Sequence, residues 1–123
     1  MPPSSPLPGA LQKIQLQRRA LLQRLARLPE VAIGSVSVVR RKCGNPNCHC
    51  ARDAGHPQTL FLFRGDDGRR RCKLIRQADS DRLLQAGDHY RQFRDNLRKL
   101  RALNQREVQI LAALLQQKAL HYE

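Results

Sequence analysis

Eight consecutive residues constrain this chain more than any others: Cys43-Gly44-Asn45-Pro46-Asn47-Cys48-His49-Cys50. Three of its four cysteines fall in that window. Gly44 and Pro46 allow a tight turn between the first two, and a tight turn aims several sulfurs at one point. A structural zinc ion takes four thiolate or imidazole donors in a tetrahedron. Cys43, Cys48 and Cys50 supply three. The fourth is either His56, in the same loop, or Cys72, on a neighbouring strand, where Arg71 and Lys73 favour the thiolate. His49 is a poorer donor, because the residues on both sides of it are themselves candidate ligands.

Competing readings of the cluster are free thiols, a redox pair and an iron–sulfur site. Cys48 and Cys50 are awkwardly spaced for a mutual disulfide, and three thiols without a metal leave an odd one. A catalytic zinc needs an open coordination position and a carboxylate base nearby. Asp53 is the only acid close by in sequence. A structural ion also suits the energetics, since a chain with five aromatics and a short sheet buries little apolar area.

Residues 1–9 lack the basic and apolar regions of a secretory signal. No run approaches the roughly 18 apolar residues of a membrane span. The expected setting is therefore cytoplasmic, with reduced thiols and no membrane.

The expected fold is α+β, a small antiparallel sheet with a zinc knuckle, flanked by two or three long helices. Residues 1–9 hold four of the seven prolines and read as a disordered leader. Residues 10–29 form a basic helix, with Leu11, Ile14, Leu21, Leu25 and Leu28 in steps of three and four broken at Arg18; Pro29 ends it. Residues 31–76 form the zinc-knuckle β unit. Its strands are expected within 31–39, with a soft break at Gly34-Ser35, and at 59–63 and 71–75, the last two joined by the turn Gly65-Asp66-Asp67-Gly68.

Residues 79–123 form a C-terminal helical region capped at Asp79 or Ser80. Leu83, Tyr90, Leu97 and Leu111 make one row, and Ala86, Phe93, Leu100 and Leu114 its companion. Asn104 and Glu107 interrupt both rows, which leaves a bend, a loop or a polar register point open. The helices are expected to pair as an antiparallel coiled-coil-like hairpin. Surplus apolar residues near the C-terminus suggest a homodimer or a third helix folding back.

The chain carries 23 Lys+Arg against 10 Asp+Glu, a formal +13. Residues 1–39 hold +4, residues 40–76 hold +7 and residues 77–123 hold +2. The shortest segment thus holds over half the excess. Arg40, Arg41 and Lys42 enter the cysteine loop; Arg69, Arg70, Arg71 and Lys73 follow the turn, with Arg64 and Arg76 nearby. If the strands pair, these clusters are expected close together around the knuckle, where guanidinium groups can each grip a phosphate with two hydrogen bonds. Phe61, Phe63 and Tyr90 are available for stacking on bases, but packing against the helices is the favoured reading.

The combination of Gly34-Ser35, Arg41-Lys42-Cys43-Gly-Asn-Pro-Asn-Cys48-His49-Cys50-Ala51, Gly55-His56-Pro57, residues 60–62 and Gly68 resembles an uncharacterised family of small basic prokaryotic proteins, a domain of unknown function. Members carry a Cys-Gly-Lys-Pro-x-Cys-x-Cys-Ala core and a downstream His-Gly-Pro, and are often encoded near transposases. The resemblance implies Cys43, Cys48, Cys50 and His56 as one set, and a mobile-element or nucleic-acid setting. Asn45 stands where the family has Lys, and His56-Pro57 lacks the intervening Gly, which keeps Cys72 as an alternative fourth ligand.

The functional expectation is a non-enzymatic, zinc-stabilised nucleic-acid-binding protein, with DNA favoured over RNA and contact directed at the backbone. The alternative is a protein-interaction adaptor whose helices bind a partner and whose charge is incidental. A nuclease would need clustered acids, and Asp66-Asp67 is better explained by the turn.

Overall fold

A computed structural model describes residues 6–53 and 55–122; the side chain of Cys50 lies outside the described residues. The elements are helix α1 (Pro6–Arg27), strands β1 (Ser35–Arg41), β2 (His56–Arg64) and β3 (Arg70–Ile75), and helix α2 (Ser80–Lys118). Short 3₁₀ turns cover His49–Arg52 and Gln77–Asp79. The fold is α+β, with one three-stranded antiparallel sheet in the order β1-β2-β3. No helix among the described residues is long and apolar enough to cross a membrane.

The chain divides into two compact units. One comprises Met1–Leu28 with Phe93–Glu123, and the other is Pro29–Gln92, so α2 contributes to both.

In the helical unit, α1 starts at Pro6, earlier than expected, so residues 6–9 are helix rather than leader; residues 1–5 lie outside the described residues. Proline is tolerated in a first turn, where its missing N–H has no partner to lose. Ile14 and Leu21 are buried, as is Ile110 on α2. Leu11, Leu25 and Leu28 are half-buried beside them in sequence step, as the three-and-four spacing predicts. α2 runs unbroken through Asn104 and Glu107. From Arg101 onward its half-buried or buried positions are Leu103, Glu107, Ile110 and Leu114. Leu111, expected in the packing row, is half exposed instead, because Leu103 takes the inward place beside the exposed Asn104 and Ile110 follows it seven residues on.

In the sheet unit, β1 begins at the Gly34-Ser35 break, and residues 31–34 are not strand. Glu30 and Ala32 are held against α2 instead: Ala32 N–H donates to the Ala86 carbonyl at 2.9 Å, and both alanines are buried. Glu30 takes two hydrogen bonds from Arg82, at 2.6 and 2.8 Å, and its carbonyl accepts from His89 Nδ1 at 3.1 Å. A backbone hydrogen-bonded to a helix in this way is not available to a strand ladder.

Register assigns every strand residue to a face. One face carries Val36, Phe61 and Lys73 across the strands, then Val38, Thr59 and Ile75. The start of α2 lies on this face: Ser80 Oγ and Thr59 Oγ1 share a hydrogen bond, and a Cβ on Gly87 would meet the Val36 side chain at 3.0 Å. Phe61 and Phe63 stack on each other here, with centroids 4.8 Å apart, and both are half-buried. The opposite face carries Ser35, Leu62 and Cys72, then Ser37, Leu60 and Leu74, with Arg41 and His56 paired at one end and Arg64 and Arg70 at the other. The β2–β3 turn closes through Gly65 N–H to the Arg69 carbonyl and Gly68 N–H to the Gly65 carbonyl, both 2.9 Å. Gly68 sits at φ +78, where a side chain would be strained.

Candidate metal centre

β1 ends and β2 begins at the paired residues Arg41 and His56, and the cysteine loop spans the gap between them. The loop is held by its own polar groups. Asn45 closes an Asx turn, its Oδ1 accepting from Asn47 N–H at 3.0 Å and its carbonyl from Cys48 N–H at 3.1 Å. The 3₁₀ turn follows, with Ala51 N–H donating to the Cys48 carbonyl at 3.1 Å. Lys42 Nζ donates to the Ala51 carbonyl at 3.2 Å, tying the two ends of the loop.

Gly55 completes the return to the sheet. It is buried at φ +96, and a Cβ there would run into the Arg41 backbone. Asp53 Oδ1 accepts its N–H at 2.8 Å, and Arg40 Nη1 donates to its carbonyl at 3.0 Å. The local signal for Gly55 as a positioning residue is Asp53 two residues before it at a strand start, a pattern that favours a turn.

This scaffold brings Cys43, Cys48 and His56 together, with one ligand atom from each and all three within 4.8 Å of one another. Cys48 Sγ lies 3.1 Å from His56 Nε2. The three are close enough to hold a metal ion. Thiolate and imidazole are the donors of a soft or borderline cation, at roughly 2.3 Å for sulfur and 2.0–2.1 Å for nitrogen. Donors at those radii around one centre stand about 3.5 to 4 Å apart, close to the spacing found. Cys43 is exposed and Cys48 and His56 half-buried, so the cluster is open to solvent on one side. His49 packs edge-on against His56, with ring centroids 5.2 Å apart, and its Nδ1 is 4.0 Å from Cys48 Sγ. Cys50, expected in the set, has its side chain outside the described residues.

Cys72 is not part of this cluster. It pairs with Leu62, six residues along β2 from His56, which is about 20 Å at strand rise. The same register corrects the expectation that the basic runs meet around the knuckle. Arg40, Arg41 and Lys42 lie at the cysteine end, whereas Arg64 and Arg70 pair at the turn end, eight residues along β2 from His56, or about 26 Å. A two-stranded hairpin with its turn at residues 65–69 must put the residues flanking that turn at the far end of the sheet.

The basic residues differ in how free they are. Arg71 pairs with Asp67 at 3.2 Å, Arg76 with Asp79 at 2.9 Å, and Arg69 lies 3.9 Å from Asp67. Arg64 donates one N–H to the Gly68 carbonyl at 2.9 Å. Arg41, Arg70 and Lys73 are exposed, with no ion pair among the described residues.

Architecture and cluster together define an α+β chain that carries a Cys/His donor set at one end of its three-stranded sheet. The family described as a domain of unknown function (DUF6788) matches residues 11–85, from α1 through the cysteine loop and sheet into the first turns of α2. The chain belongs to this family. No curated protein and no solved structure matches it.

Proposed function

We propose that the protein is a non-enzymatic, zinc-stabilised nucleic-acid-binding protein of a reduced, cytoplasmic setting. The observation that carries the reading is the convergence of Cys43, Cys48 and His56 beside Arg41, an exposed guanidinium with no ion pair among the described residues. Zinc suits two thiolates and an imidazole, and Cys50 is the fourth ligand in this reading. The ion fixes the end of β1 and the start of β2, and with them the basic residues of the sheet. An excess of +13 makes a polyanion the natural partner. The contact is with phosphates, tolerant of sequence, and DNA is favoured; a mobile-element setting fits the same chemistry.

The helical unit supports the rest of the reading. α1 and the end of α2 form an antiparallel, coiled-coil-like hairpin joined at Arg18 and Glu107. Val108, Leu111 and Leu115 remain 64%, 49% and 66% exposed in a three-and-four row on α2. That row supports a homodimer through the C-terminal region, and it is also the observation that favours the second reading, an adaptor for a protein partner.

Mobility of labelled DNA and RNA, measured across a salt series with and without a chelator, tests the proposal. Binding that weakens steeply with salt and falls when metal is removed supports it. Binding unchanged when Arg69, Arg70 and Arg71 are replaced by Gln removes its mechanism.

A further inference from the structure

The sheet face turned away from the start of α2 has a composition that the sequence did not reveal. Its middle is aliphatic and open: Leu62 is 45% exposed and Leu74 48%, with Leu60 half-buried between them. Its two ends are basic, with Arg41 at one and Arg64 and Arg70 at the other. No acidic residue occupies this face on any of the three strands. Resting on the nucleic-acid reading above, we infer that this face binds a single strand, laid along the direction of β2.

Charge and polarity along this face match a single strand. A duplex presents phosphates all along its outer surface, so it would set charge against Leu62 and Leu74, where nothing answers it. A single strand is free to rotate its bases away from its backbone. It can lay base faces on the aliphatic middle while its phosphates reach the arginines at either end. The length fits: about 26 Å separates the two basic ends, a span of a few nucleotides, within the site sizes of single-strand grooves. A second copy of the chain is a poor occupant, because a face with three arginines and no acid repels itself. Phe61 and Phe63 lie on the other face of the sheet, so this platform works by aliphatic contact rather than aromatic stacking.

Cys72 lies in the middle of this face, paired with Leu62, and is exposed. It is a native reporter of occupancy. The test uses the full chain, a short fluorescent pyrimidine strand as DNA and as RNA, and the corresponding duplexes. Anisotropy reads affinity, and maleimide labelling mapped to the Cys72 peptide reads occupancy. The expected result is single-strand binding roughly tenfold or more tighter than duplex, with Cys72 shielded by the single strand at saturation. Leu62→Gln with Leu74→Gln should lower single-strand affinity about tenfold and leave duplex affinity unchanged. Equal or tighter duplex binding with Cys72 still reactive overturns this inference while leaving the nucleic-acid reading intact. No binding of either form overturns both. Shielding of Cys72 by an acidic peptide but not by a single strand assigns the face to a protein and overturns the inference.

Discussion

Arg18 of α1 meets Glu107 of α2, with Nη2 2.9 Å from Oε1, and its Nε donates to Asn104 Oδ1 at 3.1 Å. Both charged side chains are about one-quarter exposed. These are the residues that interrupt the apolar rows of their two helices. The interruptions answer each other, and α2 continues through them without a break.

Truncating one partner leaves the other half-buried without its counter-charge. Glu107→Ala should therefore cost about 1–2 kcal/mol in urea denaturation, whereas Arg18→Leu with Glu107→Leu should recover most or all of that loss. Simple addition of two single-variant losses in the double variant would contradict the account.

Gly87 and Gly9 offer a matched pair. Both lie in helices, where Ala is favoured over Gly by about 1 kcal/mol. A Cβ at Gly9 meets nothing within 4 Å, but one at Gly87 presses on the stiff Val36 side chain at 3.0 Å. Gly9→Ala should raise the thermal midpoint, and Gly87→Ala should lower it. Stabilisation by both would show that the start of α2 does not approach the sheet so closely.

The Arg82 guanidinium, hydrogen-bonded to Glu30, holds that carboxyl below the ordinary glutamate range. Partial loss of solvent pushes the other way, and the charges of Arg82 and His89 add to the lowering. Folding thus favours the ionised form. The pair's contribution is complete above the unfolded glutamate value and disappears as pH falls through the lower folded value. Carboxyl carbon NMR should place the Glu30 midpoint below that of an exposed glutamate, and Arg82→Met should return it. An unshifted midpoint in the native protein would contradict the pairing.

Metal removal should act on one unit more than the other. The sheet unit buries few large apolar side chains among its described residues, and its loop is tied at the Cys/His cluster, so chelation should expose its backbone amides to hydrogen exchange. The helical unit buries Ile14, Leu21 and Ile110 without help from the cluster, and its amides should stay protected. Equal loss of protection in both units would contradict this division.

Much of this organisation was legible in the sequence, for identifiable reasons. The α1 row is read from spacing alone, because Leu11, Ile14, Leu21, Leu25 and Leu28 share one face of an isolated helix. The two strands around Gly65-Asp66-Asp67-Gly68 are read from local turn chemistry. The approach of Cys43 to Cys48 follows from a short loop with Gly and Pro, whereas His56 rather than Cys72 is implied by the family resemblance. What the sequence hid depends on partners distant in the chain. That residues 31–34 stay out of β1 reflects the hydrogen bonds that tie Glu30 and Ala32 to α2. The separation of Arg41 from Arg64 and Arg70, the remoteness of Cys72 from the cluster and the open Leu62–Leu74 face all follow from strand register, which no local pattern states.

The most direct test of the central claim is elemental analysis of the untreated, purified protein and four variants. The account predicts about one zinc ion per chain, retained in Cys72→Ser and lost or sharply weakened in Cys43→Ser, Cys48→Ser and His56→Ala. Native protein free of stoichiometric metal, or zinc that leaves with Cys72 and stays without His56, would contradict it.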